Sequence, residues 1–161
     1  ITQMVGELLK STTAIQVREV PYKAIGAELP DLTGGHVSTA FLASVVIRDH
    51  LRSGKLRGLA VAGPERVSII PDIPTMAEAG FPSIEGIGWN GIFVPAGTPR
   101  AAVERLQQEI ARVLRTKEMQ DDAVTMGSQT GGERPEEFAA FVRSEIRKWG
   151  KVIKDANIKV E

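Results

Sequence analysis

The hydrophobic and polar positions of this chain follow two different periods. Helical spacing of apolar residues predicts helices at 1–10, 24–33, 44–52, 99–115, 117–126 and from Pro135 onward. Strand-like patterns predict strands at 15–20, 37–42, 56–61 and 88–94. Strands that alternate with helices, followed by consecutive helices, predict an α/β chain with a mainly parallel sheet.

Short motifs rich in Pro and Gly separate these segments. Thr75 and Glu78 have the spacing of a capping box, in which two side chains satisfy free amides at a helix start. Thr98 and Pro99 predict a second helix start, with Thr as the cap and Pro at the first helical position. These motifs give turns and caps and carry no catalytic groups.

The composition narrows the class of protein. The 161 residues suffice for one domain or for parts of two, and 42% are hydrophobic. Lys and Arg balance Asp and Glu at 20 each, which argues against a nucleic-acid surface. No apolar run approaches the roughly 20 residues of a membrane helix. Because the chain has no cysteine, thiol catalysis, Cys-ligated zinc and iron–sulfur clusters are excluded.

The candidate catalytic residues are weak. His36 and His50 are the two histidines, they lack metal-ligand spacing, and we expect both to be solvated surface residues. No serine lies in a Gly-x-Ser-x-Gly motif. We therefore expect a protein that is not an enzyme and that uses no metal or other cofactor.

Two places are better candidates for ligand binding. The start of the first helix offers free amides and a positive dipole end, which suit a carboxylate. Ligands of open α/β sheets bind beyond the carboxyl ends of the strands. The candidate ligand-binding residues are therefore Thr2, Gln3, Tyr22, Leu42, Ala43 and Ser44.

As an ordered set, the motifs are specific to one family. They comprise Val20–Lys23, Gly34–Gly35, Ser53–Val61, Ile70–Gly80, Pro95–Pro99 and Pro135–Lys154. In this order they resemble the solute-binding proteins of tripartite tricarboxylate transporters, also called Bug receptors. The resemblance runs from Thr2 to about Val160, essentially the whole chain.

The resemblance implies a periplasmic protein with a type II periplasmic-binding-protein-like fold, three αβα layers and a mainly parallel sheet. Such proteins have two α/β domains that close on a small organic anion and deliver it to a membrane permease. They are about twice as long, so we expect this chain to be the C-terminal half. Residues 1–88 would be most of the second domain, and 89–161 the returning part of the first.

The resemblance also assigns roles to individual residues. The family loop Gly-Ser-x-Thr-His binds a ligand carboxylate; Thr2 matches its Thr, and Gln3 takes the His position. The family often has Asp where this chain has Leu42. Because an acidic side chain there would pair with a ligand amine, Leu42 favours a more apolar carboxylate over an amino acid.

Two other classes of function remain open at this stage. The effector-binding domain of a LysR-like regulator shares a two-lobed α/β plan, and a helix-turn-helix upstream would identify it. A group-transfer enzyme is the third class, although no nucleophile is paired with a base. Exposed sheet edges would also allow the chain to dimerise.

Overall fold

The computed structural model describes residues 1–22 and 24–158, and six α-helices lie within them. They are α1 (Thr2–Thr13), α2 (Ile25–Thr33), α3 (Ser44–Arg52), α4 (Arg100–Leu114), α5 (Lys117–Thr125) and α6 (Pro135–Asp155). All six confirm the predicted helices to within a few residues. The chain divides into two compact units between Ile87 and Gly88. That these units are parts of the second and first domains of a longer protein stays a prediction.

The predicted strands do not form a sheet within the described residues, 1–22 and 24–158. No ladder of backbone hydrogen bonds is present at residues 15–20, 37–42, 56–61 or 88–94. The one β-type pairing among the described residues is a parallel bridge between Val61 and Thr75. A strand exists only where a neighbouring backbone satisfies its N–H and C=O groups, and apolar sequence cannot supply that neighbour. The mainly parallel sheet and the three αβα layers are therefore not confirmed.

The bridge fixes a tight turn at Thr75 in the first unit. Val61 N donates to Pro74 O at 2.8 Å, and Met76 N donates to Val61 O at 2.8 Å. Thr75 N donates to Glu78 Oε2 at 2.7 Å, and Glu78 N donates to Thr75 Oγ1 at 3.1 Å. This reciprocal pair confirms the predicted capping box, although the segment forms a single turn and not a helix. Thr75 is buried, with 4% of its surface exposed.

The side chain of Arg66 also forms hydrogen bonds with this turn. Arg66 Nε donates to both carboxylate oxygens of Glu78, at 3.1 and 2.8 Å, and Arg66 Nη1 donates to Pro71 O at 3.1 Å. The hydrogen bond from Arg66, followed by the bond from the Thr75 amide, lowers the pKa of Glu78 below its ordinary value. The carboxylate of Glu78 therefore connects Arg66 and Thr75 to the end of the loop between Pro64 and Gly80.

The start of α4 differs from the predicted cap. Pro99 is the N-cap residue, not the first helical residue, and Thr98 Oγ1 donates to Pro95 O at 2.8 Å. The hydroxyl therefore closes the turn before the helix and does not cap the helix. Prediction of the cap from Thr-Pro was wrong because a local backbone acceptor competes for the same hydroxyl.

The second unit is organised by α4 and α6. α4 packs against both α5 and α6, and Ala111 of α4 and Trp149 of α6 are buried. At the start of α6, an aromatic cluster forms from Trp89, Phe93, Phe138 and Phe141. Ring centroids in it are 5.4–5.6 Å apart for the pairs that involve Trp89 or Phe93. The segment at 89–93 is thus attached to α6 by aromatic contacts and not by a β-ladder.

The turn at Thr75 predicts a stability that depends on pH. Because the folded pKa of Glu78 is lowered, its stabilisation is present above the unfolded pKa and is lost as pH falls through the lowered folded pKa. Glu78→Gln should lower Tm at neutral pH, and the difference from the parent chain should shrink on acidification. Thr75→Ala should cost about 1 kcal/mol through the lost cap. Thermal unfolding followed by circular dichroism measures both. Glu85→Gln, at an exposed carboxylate, is the control, and an equal loss there would contradict the assignment to the turn.

The aromatic cluster predicts a steric effect at Gly91. A Cβ at Gly91 would lie 2.3 Å from Cζ of Phe138, whereas a Cβ at Gly88 would meet nothing within 4 Å. Gly91→Ala should therefore destabilise the chain by about 1–3 kcal/mol through overpacking. Gly88→Ala is the matched control and should have little effect on urea unfolding. Equal stabilities for the two variants would contradict the packing of residues 89–93 on α6.

Candidate functional site

The start of α1 is uncapped and free of negative charge. Ile1 is the N-cap residue and its carbonyl accepts from Val5 N at 3.0 Å, and no side chain among residues 1–22 and 24–158 caps the helix. The amides of Thr2, Gln3 and Met4 consequently have no acceptor within the helix. The first turn holds no acidic residue, and Thr2 and Gln3 are exposed. This helix end can accept an anion.

The start of α3 has the same character. Ala43 is the N-cap residue, without a side-chain cap, and its carbonyl accepts from Val46 N at 3.0 Å. Ser44 is the first helical residue and is half-buried, as is Leu42. The first turn again contains no acidic residue. Like the starts of α2 and α4, which also lack a side-chain cap, these two helix starts leave backbone donors without partners among the described residues.

Phe41, two residues before the N-cap of α3, lies against α1. Its ring lies against Gly6, where an added Cβ would be 3.9 Å from Cε2 of the ring. Gly6 follows Thr2 by four residues and Gln3 by three, so the three share a face of α1. Phe41 directly precedes the segment Leu42–Ser44. Sequence reasoning missed this contact, and the only signal for it was a glycine inside the apolar pattern of α1.

The hydroxyl of Tyr22 is hydrogen-bonded to α2. Its hydroxyl donates to Asp31 Oδ2 of α2 at 2.7 Å. This hydrogen bond is the main cause of a raised pKa for Tyr22. A phenol that donates its only proton to Asp31 can accept from a ligand but cannot donate to a carboxylate. Tyr22 thus differs in chemistry from the five other candidate residues. Lys23, the next residue of the same motif, lies outside the described residues.

The two histidines have different environments in the structure. His36 is exposed as expected. His50 was wrongly expected to be solvated, because its Nδ1 is buried and has no hydrogen-bond partner. It lies four residues after Val46 and three after Ile47, which places it on the inner face of α3. Among the described residues, no group of His, Asp or Glu side chains could hold a metal ion. None of the described helices has the length and hydropathy of a membrane span.

Comparison with protein families gives one match over nearly the whole chain. The family model described as "Tripartite tricarboxylate transporter family receptor" matches residues 1–158. A Pseudomonas protein from a tcbD-tcbE intergenic region is 32% identical over 151 residues, which is 93% of this chain and 45% of that protein. Protein BugT of Bordetella pertussis is 28% identical over 98% of this chain and 48% of its own length. The chain thus spans about half the length of these curated relatives.

Solved structures give the same result for the fold. The structure described as R. palustris Rpa4515 with adipate matches with a TM-score of 0.80 and 32% identity, over 98% of this chain and 52% of that chain. MatC from Rhodopseudomonas palustris with bound malate matches with a TM-score of 0.72 and 29% identity, over 95% and 53%. Periplasmic binding protein BugD matches with a TM-score of 0.73 and 26% identity, over 99% and 54%. The fold is that of about half of such a binding protein, and the alternative of a LysR-like regulator is not supported.

The Tyr22–Asp31 hydrogen bond predicts a measurable titration. Because the chain contains one tyrosine, the rise in ultraviolet absorbance at alkaline pH reports Tyr22 alone. Its midpoint should lie above the ordinary pKa of about 10. Asp31→Ala should lower that midpoint, and Asp72→Ala should leave it in place. A parent midpoint at the ordinary value would contradict the hydrogen bond.

Proposed function

Because this chain belongs to the family of tripartite tricarboxylate transporter receptors, we propose that it captures a small organic carboxylate for delivery to a membrane transporter of that type. The observation that carries the proposal is that the starts of α1 and α3 have no side-chain cap and no acidic residue in the first turn, and that Phe41 before α3 lies against Gly6 of α1. The protein works in the periplasm as a binding protein and not as an enzyme. Family membership supports both statements, and the permease subunits are its proposed partners.

The proposed binding chemistry uses backbone donors and not charged side chains. Thr2, Gln3, Leu42, Ala43 and Ser44 are all uncharged. A carboxylate at the helix starts would accept hydrogen bonds from the free amides there, and the positive ends of the helix dipoles would favour it. The hydroxyls of Thr2 and Ser44 would add donors of their own.

The proposed ligand has an apolar body. Phe41 and Leu42 are half-buried beside the start of α3, and neither can pair with a ligand amine. Adipate and malate are bound in the two similar structures named above, and both are small carboxylates. Leu42 favours the apolar chain of a ligand such as adipate over an amino acid, because an unpaired ammonium group would be costly to desolvate there.

Calorimetric titration tests the ligand class. The protein is titrated with adipate, malate, short monocarboxylates, aspartate and glutamate. We expect heat of binding for at least one carboxylate without an amine. Tight binding of aspartate or glutamate would overturn the apolar ligand, and silence across the whole panel would overturn the carboxylate function.

The role of the α3 amides is tested at Ser44. Ser44→Pro removes one free N–H while keeping the helix, because Pro is favoured at the first helical position and Ala43 has a compatible ψ of 134°. Affinity for the carboxylate found by titration should fall at least about tenfold, the worth of a hydrogen bond to a charged group. Ser44→Ala keeps the amide and should bind more tightly than Ser44→Pro.

Lys117→Pro is the matched control for this substitution. Lys117 is the first residue of α5, and Thr116 before it has ψ of 148°, so the same replacement is tolerated there. It should leave carboxylate affinity unchanged. Undiminished binding by Ser44→Pro would remove the α3 start from the site.

A further inference from the structure

A row of basic side chains runs along the outer face of α6. This basic stripe comprises Arg143, Arg147, Lys151 and Lys154, all of them exposed. The first three follow one another at intervals of four residues, and Lys154 extends the same face, so the stripe spans about 16 Å of helix. Trp149 is buried on the opposite side of the helix. The stripe thus lies on the face that does not pack within the second unit.

Ordinary helix electrostatics account for only part of this stripe. Lys151 and Lys154 are near the C-terminus of α6, where the helix dipole favours cations, but that effect fades within the last turn and does not reach Arg143 or Arg147. Like charges four residues apart also destabilise a helix. Of the four, Lys151 pairs with Asp155, whereas Arg143, Arg147 and Lys154 form no ion pair with the described residues.

Several cations of the other helices in the second unit are paired, although Arg105 of α4 forms no ion pair with the described residues. In α4, Arg100 pairs with Glu104 and Arg112 pairs with Glu109; in α5, Lys117 pairs with Asp121. These pairs are three or four residues apart and neutralise one another locally. The net charge of the chain is zero, so the stripe is not a consequence of a basic composition.

An apolar residue borders the stripe. Ile146 is 65% exposed between Arg143 and Arg147, and the exposed Gly150 follows one turn later. Gly150 has no side chain, so a partner can approach the helix backbone closely beside Ile146. Exposed cations around a small apolar anchor are typical of the polar rim of a protein–protein interface.

We propose that the basic stripe of α6 docks an acidic helix of a partner protein, with carboxylates at the same four-residue spacing. Two partner carboxylates would meet the unpaired Arg143 and Arg147, a third would compete with Asp155 for Lys151, and an apolar residue of the partner would cover Ile146. A lipid surface fits less well, because an interfacial helix buries a broad apolar face, and the apolar face of α6 already packs within its own unit. This proposal does not rest on carboxylate capture.

The test uses an alanine-rich helical peptide with glutamates at i, i+4 and i+8. Fluorescence anisotropy of the labelled peptide is recorded with the protein at about 0.05 M and about 0.3 M salt. We expect binding that weakens at the higher salt and a clear loss of binding when glutamine replaces glutamate. Equal binding of the glutamine peptide, or no binding of the glutamate peptide at low salt, would overturn the proposal.

Two matched variants locate the contact. R143E/R147E reverses two charges of the stripe and should weaken peptide binding by more than about threefold and up to about twenty-fivefold, because each exposed pair contributes up to roughly fivefold. R105E/R115E makes the same change of charge at Arg105 of α4 and at Arg115, the C-cap residue of that helix, and should bind within about threefold of the parent. Ile146→Ser keeps every charge and should weaken binding if the anchor is used. Circular dichroism confirms that each variant folds.

Two further outcomes would contradict the proposal. Equal losses in the stripe variant and the α4 variant would indicate a non-specific effect of charge. Vesicles of phosphatidylglycerol and phosphatidylcholine provide the other comparison. If R143E/R147E abolished vesicle binding while leaving peptide binding intact, the stripe would be a lipid contact instead.

Discussion

The contact between Phe41 and α1 is the constraint on which the candidate site depends. Helix starts with free amides are common, and a single one is a weak anion site in water. Here the ring of Phe41 lies on the face of α1 that carries Thr2 and Gln3, and the chain enters α3 two residues later. Because Gly6 has no side chain, the aromatic ring can approach the helix there. This contact ties the segment that leads into α3 to α1.

The helices of this chain could be predicted because their signals are local. Apolar residues at helical spacing placed α3 at its observed bounds and the other five within a few residues. The capping box at Thr75 was also local, and both of its hydrogen bonds form. The predicted strands had no comparable local signal for their pairing. Segments such as 88–94 have strand-like sequences, but a strand needs a paired backbone, and within the described residues only Val61 and Thr75 provide one.

In the candidate site, too, features set by neighbouring residues could be predicted and features set by contacts in space could not. The uncapped starts of α1 and α3 follow from residue types next to each helix, and sequence alone could indicate them. The acceptor to which a hydroxyl group donates its hydrogen bond depends on the groups that lie nearby in space, and the local sequence does not fix it. Tyr22 donates its proton to Asp31, nine residues away, and Thr98 donates to Pro95 in place of capping α4. His50 is similar, since its buried Nδ1 follows from packing of α3 and not from its polar neighbours in sequence.

The chain itself shows how a carboxylate binds at a helical turn. Glu78 accepts from the amide of Thr75 at 2.7 Å, and Glu137 accepts from the amide of Arg134 at 3.0 Å. In both places the carboxylate comes from three residues further along the same chain, and its pKa is lowered first by an arginine side chain, Arg66 or Arg134, and then by the backbone amide. α4 also lacks a side-chain cap, but Arg100 at its start is already paired with Glu104 and Glu136.

α1 and α3 lack an internal carboxylate of this kind. A ligand carboxylate would there take the place that Glu78 and Glu137 fill elsewhere. Leaving these starts uncapped costs helix stability, about 1 kcal/mol for a typical cap. Binding of an anion would recover that stability and couple ligand capture to the ordering of both helix ends.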